Sequence, residues 1–161
     1  MRKLLYLIFL NFCFLMTGQQ MNSDKLGVLI SQVADSSITN GNSYNFIYKN
    51  RPLICVYDNR ANRMRIISPI IKREEIGEDE LLNTLVANFH SALDVKYALS
   101  DEIIWSVFTH PLRELSDGQV LDAIDQVYTA SITFGTSYSS TSLVFPGNSK
   151  KEEKRLLKRI D

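Results

Sequence analysis

Glu78-Asp79-Glu80-Leu81-Leu82-Asn83-Thr84-Leu85-Val86-Ala87-Asn88-Phe89-His90-Ser91-Ala92-Leu93-Asp94 opens with three acids and then carries apolar residues at 82, 85, 86, 89 and 93. That recurrence is the period of an amphipathic helix, and the acids stand where the helix dipole favours negative charge. Directly after it, Val95, Tyr97 and Leu99 alternate with Lys96, Ala98 and Ser100, and beyond a short polar turn Ile103, Ile104, Trp105, Val107 and Phe108 form a second run that ends at His110-Pro111. Two such runs joined so closely predict a hairpin. Helix and hairpin together form the scaffold of the chain, and their apolar positions, Trp105 included, are expected in the core.

Working outward toward the N-terminus, Arg63 to Ile70, Leu53 to Tyr57 and Tyr44 to Lys49 predict three strands, separated by the turn signals Asp58-Asn59-Arg60-Ala61-Asn62 and Asn50-Arg51-Pro52. Turns this short make an antiparallel meander. Leu53-Ile54-Cys55-Val56-Tyr57 is apolar on both faces and belongs in the middle of the sheet. Tyr44, Phe46 and Tyr48 place three rings on one face of the first of these strands, with two readings. If the strand is an edge, the three are candidate partner-binding residues to which an extended peptide adds by backbone pairing; otherwise the rings fill the core under the helices. The polar run Ser37 to Ser43 is expected to be a loop, and Asp24 to Ser36, with Leu26, Leu29, Ile30 and Val33 on one side and Ser23 as its cap, a first helix. On the C-terminal side, Ser116 and Gln119 have capping-box spacing and start a last helix that the β-branched run from Ile132 should end near Phe134. Leu143 to Phe145 is expected to pack as a short apolar clip.

At the start of the chain, Arg2 and Lys3 precede an apolar run from Leu4 to Met16, followed by Thr17-Gly18-Gln19-Gln20. This is the pattern of a secretory signal, too short for a spanning helix of roughly 20 residues. Residues 1–19 are therefore expected to be a signal peptide, 22–145 one α+β domain, and 146–161 a basic tail. The protein is expected to be exported, to a periplasm or beyond. Outside the signal the chain keeps one cysteine, Cys55, so no internal disulfide can form there, and its apolar neighbours mark it as buried. The chain has 18 basic and 18 acidic residues. Six of the basic ones lie between Lys150 and Arg159, so the body is acidic and offers no nucleic-acid surface. The tail, with Leu156, Leu157 and Ile160 at helical spacing among cations but only about two turns long, has two readings: a frayed, solvated end, which is favoured, or a segment that touches an acidic partner or an anionic membrane surface.

Catalytic chemistry leaves no signature. The two histidines, His90 and His110, lack ligand spacing, and Glu74, Glu75, Glu78, Asp79 and Glu80 project in different directions ahead of a helix that attracts them. There is no glycine-rich phosphate loop, no nucleophile elbow and no Cys/His pair. No catalytic, cofactor-binding or metal-binding residue is assigned. The alternative is an enzyme or small-ligand protein whose site is assembled from residues distant in sequence.

The order helix, three strands, helix, two strands, helix resembles the fold of the type III secretion chaperones (Tir chaperone-like) and the YbjN-like sensory-transduction regulators. Leu81 to Phe89 with Asp94 to Phe108 is similar to the helix and hairpin of that superfamily, and Leu112 to Val127 to its final loop and helix. The likeness spans Ser23 to Tyr138. It implies a small non-enzymatic protein, often a homodimer, that binds extended polypeptide segments of a protein partner. Secretion chaperones act in the cytoplasm, so the leader-like segment is a departure from the pattern, and no binding residue is carried over.

Overall fold

The computed structural model describes residues 20–141; the expected signal peptide, the expected clip at Leu143–Phe145 and the basic tail segment lie outside the described residues. Helix α1 (Ser23–Val33) leads into strands β1 (Ser36–Asn40), β2 (Ser43–Tyr48), β3 (Arg51–Asp58) and β4 (Arg63–Lys72). Helix α2 (Glu78–His90), strands β5 (Lys96–Ser100) and β6 (Ile103–His110), and helix α3 (Asp117–Thr133) complete an α+β fold. All strand pairs are antiparallel, in the spatial order β1-β2-β3-β4-β6-β5.

The predicted loop at Ser37 to Ser43 is instead a strand and a tight turn. All five residues of β1 are exposed, so no buried face imposes a period of two on its sequence, and Ser, Thr and Asn read as loop. Gly41 at φ +55 followed by Asn42 at negative φ is the backbone pattern of a type II′ hairpin. The next two tight turns need positive φ at both central residues, which Lys49-Asn50 and Asp101-Glu102 adopt without glycine. Asn22, not Ser23, caps α1, its side chain accepting from the Lys25 N–H at 2.9 Å. Ser116 and Gln119 form the expected capping box on α3, whose C-cap is Phe134.

Helices α1 and α3 cover one face of the sheet. Leu26, Leu29 and Ile30 of α1 and Val120, Ile124 and Val127 of α3 meet Phe46, Leu53, Cys55, Met64, Ile66 and Phe108 from the strands. Each large aliphatic side chain fully buried here contributes about 1.5–3 kcal/mol before chain entropy is counted. Ser106 sits in this layer at full burial, donating to the carbonyl of Val127 at 3.0 Å, so the polar atom is satisfied where α3 crosses β6.

Close approach between α1 and β2 requires Gly27. A Cβ there would lie 2.6 Å from Tyr44 Oη and 2.7 Å from its Cζ, in a ring that stacks on Tyr57 and donates to the Ser23 carbonyl at 3.0 Å. Gly27→Ala is therefore expected to destabilise the protein by about 1–3 kcal/mol, although alanine is the better helix former by about 1 kcal/mol. Thermal denaturation of the variant checks this, and an unchanged or raised midpoint would contradict the packing.

Candidate functional site

Helix α2 does not join the two helices on the sheet; it flanks the edge strand β5. It turns its small side chains inward, with Thr84 and Ala87 buried, and its large ones outward. Leu82 is 58% exposed, Leu85 61%, Val86 40% and Phe89 85%. Their spacing of three, four and seven residues makes one continuous stripe. The expectation that these residues pack inward is thus reversed, because hydrophobic period fixes which residues share a face and not where that face points.

What pins α2 in this orientation is polar. The Asn88 carboxamide accepts from the Tyr97 N–H at 2.7 Å and donates to the Tyr97 carbonyl at 3.0 Å, satisfying edge groups of β5. Lys96 Nζ donates to the carbonyl of Asn88 at 2.8 Å and to that of Leu93, capping the helix C-terminus with a cation. At the other end the Arg73 guanidinium pairs with Glu78, and Glu80 accepts from the Gly77 N–H at 3.3 Å. Tyr97 underneath is buried, donates to the Ala130 carbonyl at 3.0 Å, and has its hydroxyl pKa pushed up to about 12 by burial.

The expected partner-binding residues Tyr44, Phe46 and Tyr48 lie on β2, and β2 is not an edge. It pairs with β1 on one side and β3 on the other, so its ladder offers nothing to an added strand. Phe46 is in the core, and the two tyrosines clamp helices to the sheet. Tyr48 packs edge-on against Tyr128 and donates to Asp125 Oδ1 at 3.0 Å, and Lys49 Nζ meets the same oxygen at 2.7 Å. These contacts hold the Asp125 carboxyl below its ordinary range, the lysine bond being the largest cause. The core reading of the rings is the one the fold adopts; the outermost strands are β1 and β5, and of these β5 is flanked by α2.

Cys55 is fully buried in β3, its thiol pushed up to about 12 by desolvation, far from the electropositive setting a nucleophile needs. His110 Nδ1 lies 2.8 Å from the Pro111 carbonyl and its ring stacks on Phe108, whereas His90 meets Phe89 edge-on at 4.8 Å. Among the described residues, no three of His, Cys, Asp and Glu are grouped to hold a metal. An open groove of about 490 Å³ runs past Phe89, Leu93, Asp94, Asp122 and Gln126. The Gln126 amide on its floor is already engaged, donating to Asp122 at 2.7 Å and accepting from Ser140 at 3.3 Å. That arrangement ties the end of the domain to α3 and presents no set of polar groups converging on empty space.

No protein-family model matches this chain, and no curated protein matches it in sequence. Solved structures match it in fold. The HopA1–SchA chaperone–effector complex is 12% identical with a TM-score of 0.51, over 70% of this chain and 98% of that one. The Yersinia pestis type III secretion chaperone SycH, in complex with a stable fragment of YscM2, is 13% identical with a TM-score of 0.53, over 68% of this chain and 96% of that one. The chain has the fold of the type III secretion chaperones, as the order of its elements implies.

Proposed function

We propose that this protein is a non-enzymatic, chaperone-like module that binds another polypeptide, works outside the cytoplasm, and is built as a homodimer through α2. The observation that carries the reading is the outward stripe Leu82, Leu85, Val86 and Phe89. Exposed apolar area gathered on one regular element and rimmed by polar residues marks a protein contact. A second copy fits it for two reasons. Spacing of three and four residues is the seam by which helices pair, and an antiparallel pair about a two-fold axis repeats the same contacts twice. The same arrangement brings the acids Glu78, Asp79 and Glu80 of one helix toward the Lys96-capped end of the other, so charge and dipole both favour it. The chaperone complexes of the same fold hold protein partners, which supports the wider role.

Light scattering tests the dimer. The intact protein is expected to run as a dimer at micromolar concentration, and the double variant Leu85→Glu, Phe89→Glu as a monomer with unchanged circular dichroism, since both side chains are exposed in the single chain. A wild-type monomer throughout that range would remove the proposal.

A further inference from the structure

Helices α1 and α3 cover one face of the sheet; among the described residues no helix covers the other face along its middle strands. Outward positions there fall into register. Ile54, Ile67 and Val107 form one row across β3, β4 and β6, and Pro69 and Trp105 stand in the next. Val56, 43% exposed, lies opposite Arg65, which lies opposite Thr109, around a shallow hollow of about 670 Å³. An antiparallel sheet with one solvated face ordinarily alternates apolar inward and polar outward. Here the central strands are apolar on both sides, and each of these outward residues is at least partly exposed.

The charges on this face oppose those of the body. Residues 20–141 hold ten basic and fifteen acidic side chains. Yet the hollow is bordered by Arg63 and Arg65, both exposed and neither paired with a carboxylate among the described residues. Arg65 Nε donates to Thr109 Oγ1 at 3.3 Å, and Arg63 donates to the Asn62 carbonyl at 3.0 Å. The one acid lining the hollow, Asp58 at the end of β3, has its Oδ1 engaged by the N–H groups of Arg60 and Ala61, so two cations face it against a single carboxylate.

We propose that the open face of the sheet, centred on Ile67 and Trp105, docks an amphipathic helix of a partner polypeptide, apolar along one side and acidic along its flank. This rests on the polypeptide-binding reading above and gives that module a client surface separate from α2. A helix about 10 Å wide covers two to three strands set about 4.8 Å apart, the width of β3, β4 and β6. The inner face of the same sheet already takes helices in this way. Arg63 and Arg65, two residues apart on one side of β4, are about 6.6 Å apart along the strand, and acids four residues apart on a helix are about 6 Å apart along its axis.

Trp105 is the single tryptophan of the chain and stands in this face, so its emission reports occupancy directly. The probes are two synthetic helical peptides about 18 residues long with the same leucine stripe, one with glutamate and one with lysine elsewhere. The Leu/Glu peptide is expected to shift Trp105 emission to the blue with saturation, and the Leu/Lys peptide to bind about tenfold more weakly or not at all. Ile67→Glu should abolish the shift. Arg63→Glu with Arg65→Glu, which alters only exposed side chains, should reverse the preference between the peptides. The Leu85→Glu, Phe89→Glu variant should bind as the wild type does. Equal binding of the two peptides, or wild-type binding by a folded Ile67→Glu variant, would overturn the proposal, as would binding lost in the α2 variant alone. A monomeric wild type that still prefers the Leu/Glu peptide would support the client surface while removing the dimer.

Discussion

Raising the pH from 8 to 11 is expected to take about 4 kcal/mol from the stability of the fold, out of a total of about 5–15 kcal/mol for a domain of this size. Two buried acids carry the effect. Burial pushes the Cys55 thiol from 9.0 up to about 12 and the Tyr97 hydroxyl from 10.0 up to about 12. In each case the neutral form is favoured by the fold, so the native chain holds its proton at a pH where the unfolded chain has released it. Their contribution is complete below pH 9 for Cys55 and below pH 10 for Tyr97, and it is lost as the pH climbs toward 12. At pH 11 the cysteine accounts for about 3 kcal/mol and the tyrosine for about 1 kcal/mol. Urea denaturation at the two pH values, with reductant present, measures the sum, and Cys55→Ala isolates the larger part. A Cys55→Ala profile as steep as the wild type would show that the thiol is not protected by the core.

The second large effect lies in α2 and runs against what its sequence suggests. Ala87→Leu is expected to destabilise the chain by about 1–3 kcal/mol, because the added carbons have only the packed contact beneath the helix to enter. Phe89→Ala, a substitution that removes far more apolar surface, is expected to change the stability of the single chain by no more than about 0.5 kcal/mol. Were Phe89 the core residue its period implies, the same change would cost about 3–5 kcal/mol. Chemical denaturation at low protein concentration separates these outcomes. At higher concentration Phe89→Ala should also weaken the dependence of stability on concentration, since the side chain belongs to the proposed contact between copies.

The tyrosines of β2 show how a neighbouring strand decides what three rings on one face do. Tyr44, Phe46 and Tyr48 have the composition of a binding face, and whether they form one depends on what lies beside the strand. With β1 paired to β2, the three rings pack between helices and sheet, and the protein's open apolar surface passes to α2 and to the outer face of β3, β4 and β6. No local signal marks β1 as a strand, because an exposed edge has no buried side to pattern it. Trp105 likewise sits in an apolar run that reads as core, yet its side of β6 is the open one, while Ile104 and Ser106 face the helices.

The order of the three helices and of every strand but β1, the antiparallel pairing of the meander and hairpin, the capping box at Ser116 and the burial of Cys55 were determined by the sequence alone. Each rests on forces that act between near neighbours or on the plain excess of apolar residues in a run. Tertiary structure alone decided which strand became the edge and that α2 shows its leucines and Phe89 to solvent. Among the described residues it also left one side of the sheet without a helix. Those outcomes depend on contacts between segments far apart in the chain: the Asn88 carboxamide on the edge of β5, the fit of Ala87 beneath it, and the number of helices available to cover two faces of one sheet.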